Sequence, residues 1–410
     1  MSTHSHRVSL LAGVSLILGA CSPAPPSPSP SSTTAIEPSA STSAQPPVLT
    51  PSRTSEPSPT AVPPSVTGWV VREMNLGEDG FMDDIAVTSA AGGTIHVMDH
   101  LEEAMDNGFD AGRYRRSTDG GRTWGAEHLL RGIDEVVAAA GDRVFVAFQA
   151  YDCRTGIGVV RNDENGAPGA WSRVTCLPGD SDLAGSQWGP QAAATGSSVY
   201  VLSIDSGTSR AHLRTSHDAG RTFTSMWLGE AHPDSEGDVG PVLLSADDDV
   251  VAASWYDAGA PVVRVSHDTA RSWGPPVPLP GGAIELSVRD GRTLAQGWSG
   301  IDAPWYWLSA GGGFEPIAAA GPSATPDPMR WTGTHLAIGP AGALGALNTE
   351  ACVTTWRTST DSGASWSTPE RIVDGCPAIG TGSPLPVSWL DDGHIVAFLD
   401  VEGAGIAERP

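Results

Sequence analysis

Lysine is absent from this 410-residue chain, so all 23 basic residues are arginine. Against 47 acidic residues they leave a formal net charge of −24 and a pI near 4.6. A surface of that sign repels phosphate backbones and anionic headgroups, which argues against nucleic acid as a partner. Cysteine is scarce, with five residues, and neither a CxxC pair nor a His-rich cluster signals a zinc site. No cofactor motif is found; a divalent cation suits the acidic charge, but no ligand motif supports one. The apolar run Val8–Leu18 is too short to span a membrane as a helix.

What is present begins with a targeting segment. His4, His6 and Arg7 precede the apolar run, which ends in Leu18-Gly-Ala-Cys21. That ending resembles the bacterial lipoprotein box. The resemblance implies cleavage before Cys21, lipid on its sulfur and an extracytoplasmic protein anchored to the cell membrane or surface. Residues 22–66 are mostly Pro, Ser, Thr and Ala, a composition that buries nothing and reads as a semi-extended tether. Fully extended it reaches up to ~140 Å. The chain thus divides into residues 1–20 (signal), 21–66 (lipidated Cys and tether) and 67–410 (folded domain).

Within the folded domain one octapeptide recurs four times. It reads Ser117-Thr-Asp-Gly-Gly-Arg-Thr-Trp124, Ser216-His-Asp-Ala-Gly-Arg-Thr-Phe223, Ser266-His-Asp-Thr-Ala-Arg-Ser-Trp273 and Ser359-Thr-Asp-Ser-Gly-Ala-Ser-Trp366. A Ser hydroxyl and an Asp carboxylate bond the N–H groups of a tight turn, Gly supplies positive φ, and the aromatic buries an apolar face. The pattern resembles the Asp-box (BNR) repeat of sialidase-like β-propellers. The resemblance implies an all-β propeller in which Asp119, Asp218, Asp268 and Asp361 hold turns and touch no substrate.

The Asp positions are separated by 99, 50 and 93 residues, so each long step hides a degenerate copy. Asn162-Asp-Glu-Asn-Gly166 with Trp171 fills the first gap, and Ser309-Ala-Gly-Gly-Gly-Phe314 the second. A period near 50 matches four short strands and their turns. Tight turns at Gly92, Gly141, Gly196, Asp248, Gly291, Gly342 and Gly393 each precede an alternating apolar strand. The last unit runs out of chain before a fourth strand, and Thr67–Met74 reads as the missing one. The expectation is seven four-stranded antiparallel blades, closed by the N-terminal strand, with six blades as the alternative. Closure leaves no open edge, and a monomer is expected.

The remaining cysteines support export. Cys153 and Cys176 are 23 apart, Cys352 and Cys376 are 24 apart, and the pairs are offset by 199 and 200, four blade periods. Equivalent placement in two repeats predicts disulfides 153–176 and 352–376.

Function falls to the loops opposite the Asp turns. Second strands end in Asp99, Asp152, Asp205, Asp257, Glu350 and Asp400, either capping their turns or forming an acidic funnel. Asp83, Asp84, Asp99, Asp152 and Glu350, with Trp188, Trp255, Trp298, Trp305 and Trp331, are the ligand-binding candidates. They suit a glycan or a protein ligand held without turnover. The alternative is a glycoside hydrolase, of the sialidase-like superfamily or using a carboxylate pair such as Asp238 and Asp257, with Glu236 and Tyr256 beside them. Sialidases grip the substrate carboxylate with three arginines. Arg72, Arg113, Arg115, Arg154, Arg210 and Arg330 include no triad marked by a Phe/Tyr-Arg-Ile-Pro segment, so sialidase chemistry is not expected.

Overall fold

The computed structural model describes residues 68–73, 81–90, 94–101, 110–153, 156–178, 189–205, 208–231, 242–257, 260–298, 304–309, 312–318, 334–350, 353–374, 387–389, 395–400 and 404–409. All lie in one unit, Pro59–Pro410. The chain enters on β1 (Val70–Glu73). A seven-stranded antiparallel sheet follows: β2 (Phe81–Ala90), β3 (Thr94–Leu101), β4 (Ala111–Ser117), β5 (His128–Ala140), β6 (Arg143–Ala150), β7 (Ile157–Asn162) and β8 (Thr175–Cys176).

Four sheets of four strands come next. The first holds β9 (Gln191–Thr195), β10 (Ser198–Asp205), β11 (Arg210–Ser216) and β12 (Thr224–Glu230). The second holds β13 (Leu243–Asp247), β14 (Val250–Asp257), β15 (Ala260–Ser266) and β16 (Val277–Pro278). The third holds β17 (Gly282–Arg289), β18 (Arg292–Trp298), β19 (Trp305–Leu308) and β20 (Phe314–Pro316). The fourth holds β21 (Thr334–Ile338), β22 (Leu344–Glu350), β23 (Val353–Ser359) and β24 (Glu370–Asp374). The last sheet runs β25 (Val387–Trp389), β26 (Ile395–Asp400), β27 (Ala404–Arg409) and back to β1.

The architecture is an all-β propeller of four-stranded antiparallel blades. Its described residues form six hydrogen-bonded sheets, where seven separate ones were expected. The reason is β5, thirteen residues long. His128–Arg131 pair with β4, and Gly132–Ala140 pair with β6. Elsewhere the step from an outer to the next inner strand carries Pro or a long polar loop. Here Leu130-Arg-Gly-Ile133 has no Pro, so one strand runs through both pairings. The innermost strands β2, β5, β9, β13, β17, β21 and β25 are neighbours in that order.

Second strands are buried on both faces because each sheet is covered on two sides; all eight residues of β10 are buried. Outer strands dwindle to the two residues of β8 or β16. The core lies between sheets. Tyr200, Leu202 and Leu213 of one sheet pack with Val251, Trp255 and Val262 of the next. As expected, β1 completes the last sheet, with Val70 opposite Glu408 and Glu73 opposite Gly405. Trp69, fully buried, meets Trp356 edge-on at 5.8 Å.

The four repeated turns share one hydrogen-bond scheme. Ser216 Oγ donates to Asp218 Oδ1 at 2.8 Å and accepts the N–H of Gly220 at 2.8 Å. Asp218 then accepts the backbone N–H of Thr222 at 2.8 Å and its hydroxyl at 2.6 Å. Ser117, Ser266 and Ser359 do the same with Asp119, Asp268 and Asp361. The two degenerate turns keep half the scheme. Asn162 Oδ1 accepts from Gly166 N–H at 3.0 Å, and Ser309 Oγ from Gly313 N–H at 3.2 Å. The closing aromatics pack on cores between sheets: Phe223, Trp273 and Trp366 each border a buried cluster.

Candidate functional site

Strand register fixes two ends for every blade. Ile95 of β3 lies opposite Ser117, at the turn end, and Leu101 opposite Ala111, at the other. The second end, the mouth, gathers the ends of second strands and the beginnings of inner ones.

Several predicted mouth residues are committed to the fold. The Asp99 carboxylate is 1% exposed and accepts Arg113 Nε at 3.0 and 3.2 Å, with Nη2 bonded to the same carboxylate. Arg115 approaches it to 3.8 Å. This buried ion pair holds β3 to β4. Asp205, also buried, accepts the N–H of Thr208 at 3.2 Å and so caps its turn. Trp255 is 1% exposed and donates Nε1 to the Glu230 carbonyl at 2.9 Å, and Trp305 is 5% exposed. Both indoles fill cores and offer no face for stacking.

Asp152, Tyr256 and Asp257 reach solvent. Asp152 is exposed and 3.2 Å from Arg131; Tyr256 and Asp257 are half-buried at the end of β14. Asp83 and Asp84 lie on β2, Trp298 ends β18 and Glu350 ends β22. Trp188, Trp331, Glu236, Asp238, Arg154, Arg330, Cys21, Cys352 and Cys376 fall outside the described residues. The 153–176 disulfide is present, with Cα atoms 5.4 Å apart. Among the described residues no group of three or more His, Cys, Asp or Glu is placed to hold a metal ion.

The densest unassigned chemistry sits where β5 passes from one pairing to the other. A register shift between Ile133 and Val136 marks a bulge. Asp134 adopts φ +53° there and accepts a hydrogen bond from Gln149 Nε2. Glu135 next to it is nearly buried, 2% exposed at its side chain, with Oε2 3.9 Å from His100 Nδ1 and Oε1 without a hydrogen-bond partner. Burial pushes the Glu135 carboxyl above the usual range, an effect that His100 opposes. Tyr151, 42% exposed, lies 3.5 Å from Asp110. Partial burial raises its phenol, as do Asp110, Glu135 and Asp134.

Sequence reading passed over Asp134 and Glu135. Their signal is two adjacent acids inside an apolar strand, Gly132-Ile-Asp-Glu-Val-Val137. Met82-Asp-Asp-Ile85 on β2 repeats it, and β2 too has a register shift, between Phe81 and Ala86. A third shift, between Ala283 and Glu285 of β17, precedes an acid 3.2 Å from His335 Nδ1 of β21. The mouth ends of three innermost strands therefore carry acids at irregular positions.

No protein-family model matches this chain, and no curated protein sequence matches it. Solved structures do resemble it. Selenomethionine-substituted virginiamycin B lyase from Staphylococcus aureus superimposes with a TM-score of 0.52 at 13% identity, over 83% of this chain and 98% of the lyase. A catalytically inactive variant of that enzyme with quinupristin gives 0.51 at 14%, over 83% and 99%. The Hadza microbial sialidase Hz136 gives 0.43 at 13%, over 79% and 65%. At these identities the likeness to the lyases is one of fold, and the propeller class is what it supports.

Proposed function

We propose that this chain is a binding propeller, held outside the cytoplasm by lipid on Cys21 and the 22–66 tether, whose mouth takes a ligand without turning it over. The observation that carries the reading is the β5 bulge. It combines a left-handed backbone at Asp134 with a buried oxygen on Glu135 that lacks a hydrogen-bond partner. Such features cluster at ligand-binding sites. Asp110 and the exposed Tyr151 ring border the same spot. On this reading the seven-stranded sheet works as two blades sharing β5, which gives seven repeats around the ring, and the Ser-x-Asp turns are Asp-boxes. Cys352 and Cys376 pair as Cys153 and Cys176 do.

The test is a screen of the purified protein on glycan and peptide arrays, followed by substitution. Asp134→Asn tolerates the left-handed backbone and Tyr151→Ala removes an exposed ring, so both leave stability nearly unchanged. Each is expected to weaken binding at least tenfold, while Ser216→Ala, at a remote turn, leaves affinity intact. A ligand whose binding survives both mouth substitutions refutes the reading.

A further inference from the structure

A cavity of about 460 Å³ lies between the fourth four-stranded sheet and the last one, near the turn end. Its size falls within the ~300–1,000 Å³ range of small-molecule sites. One wall is Thr358, a residue short of the end of β23, with Ser367, Thr368 and Pro369 beyond the turn that Asp361 holds. That wall is tied together, because Thr358 N–H donates to Ser367 Oγ at 3.0 Å and Ser367 N–H to the Thr358 carbonyl at 2.9 Å. Thr368 and Pro369 are exposed, so the cavity opens to solvent. The other lining is an ion pair across the two sheets, Arg409 of β27 with Glu370 of β24 at 3.0 Å. Thr358 stands where the first repeat has Arg116, whose guanidinium reaches the Asn165 carbonyl of the neighbouring turn at 2.5 Å. A threonine is too short for that reach, and the space stays open. Trp356, 1% exposed, also lines the cavity, and its indole N–H is buried with no acceptor among the described residues. Such a donor is costly to leave unmet.

We propose that this cavity binds a neutral saccharide of one or two rings, at a site apart from the mouth. Its lining mixes acceptors and donors in a small space. The Glu370 carboxylate accepts, the Arg409 guanidinium and the Trp356 indole donate, and the Thr358 and Thr368 hydroxyls do both. Adjacent sugar hydroxyls, each a donor and an acceptor, match that mixture. The charges of Glu370 and Arg409 offset each other, so neither a cationic nor an anionic ligand gains a net attraction. The exposed Pro369 ring offers an apolar surface to the C–H face of a pyranose. An apolar ligand is poorly suited, because it would bury this pair and the hydroxyls without replacing their water contacts.

The inference does not rest on the mouth being a binding face, and the experiment keeps the two apart. The full chain is titrated, with saturation-transfer NMR as the readout, against the methyl glycosides of glucose, galactose, mannose and N-acetylglucosamine. Glucuronate and glucosamine serve as charged counterparts. At least one neutral glycoside is expected to bind, about tenfold more tightly than either charged sugar. Thr368→Val, a nearly isosteric change at an exposed position, is expected to weaken it about fivefold at unchanged Tm through one lost hydrogen-bonding group. Thr358→Arg fills the cavity and is expected to abolish binding, while Tyr151→Ala leaves it intact. Absence of binding by all four neutral glycosides overturns the inference, and so does equal binding of the charged sugars. Binding undiminished by Thr368→Val overturns it even where Thr358→Arg fails to fold. Binding that survives the cavity substitutions but is lost in Tyr151→Ala moves the sugar to the mouth, so this site falls and the mouth reading stands.

Discussion

Arg72 of the first strand and Glu408 of the last form an ion pair of 2.8 Å across 336 residues of sequence. The same guanidinium donates to the Gly120 carbonyl at 3.0 Å, inside the first Ser-x-Asp turn. Glu408 packs where a Cβ on Gly120 would sit, 2.4 Å from it. The first strand, the last strand and the following blade thus meet at one polar contact, which latches the ring.

Breaking that latch is expected to be costly, because the side chains are only 11% and 9% exposed. Arg72→Ala leaves a nearly buried carboxylate without its main partner and is expected to cost on the order of 3 kcal/mol in urea unfolding. Deleting residues 67–76 removes the whole outer strand and is expected to abolish soluble expression. A truncated protein with native-like near-UV circular dichroism contradicts this account of closure.

Acid stability follows from the turns and from two buried histidines. Hydrogen bonds from Thr222, Ser365 and Ser272 hold the Asp218, Asp361 and Asp268 carboxylates below the usual range, the latter two at about 2. Burial pushes Asp119 up, but the Thr123 and Ser117 hydrogen bonds outweigh it. Their stabilisation is complete above about pH 4 and is lost as pH falls through the folded values. Burial, helped by Arg116 and Arg214, lowers His96 and His212 to about 4. These rings are neutral in the fold, so stability already declines below about pH 6.5, where the unfolded chain takes up protons. Urea midpoints are expected to fall from pH 7 to 5 and again from 4 to 2. A His96→Gln, His212→Gln double variant flattens the first step alone.

The turns were legible in the sequence because their chemistry is local. Ser216 bonds groups only two and four residues ahead, so the spacing is the structure. Asn162 and Ser309 were found for the same reason, since each keeps the contact to the fourth residue on. The continuous strand β5 was not legible, because a strand's role depends on which neighbours pair with each half. Nor was the commitment of Asp99: its partner Arg113 lies across a hairpin, and a carboxylate at a strand end reads alike whether buried or free. Adjacent acids in β5 look like a solvent-facing stretch until the bulge turns one of them inward.

Ala270 is the one departure from glycine at the fifth turn position among the four full repeats, and it sits at φ +64°. Gly121, Gly220 and Gly363 occupy that position at φ +80°, +73° and +90°. Ala270→Gly relieves left-handed strain and is expected to stabilise by about 0.5–1 kcal/mol. Gly363→Ala is expected to do the opposite by more, because its new Cβ would lie 2.3 Å from Ile317 Cγ2 as well as being strained. Thermal unfolding of both variants checks the signs.

Anchoring is tested at Cys21. Cys21→Ser is expected to abolish incorporation of labelled palmitate, because the acyl chain is carried on that sulfur. A parent chain that takes up no label, or a variant labelled undiminished, contradicts the lipoprotein reading.

Sialoside hydrolysis is expected to be absent. Binding a sugar carboxylate takes arginines with free donors, and those at the described mouth are engaged. Arg113 and Arg115 face Asp99, Arg131 pairs with Asp152 and Arg210 with Glu230 at 2.9 Å. The acids at the β5 bulge and at Glu285 would meet a sialic acid with like charge. A fluorogenic sialoside incubated with the protein should release no fluorophore above buffer between pH 5 and 8. Turnover that disappears on replacing a single mouth arginine by Ala would show that one of these ion pairs opens to admit the substrate, and the binding-only reading would fall with it.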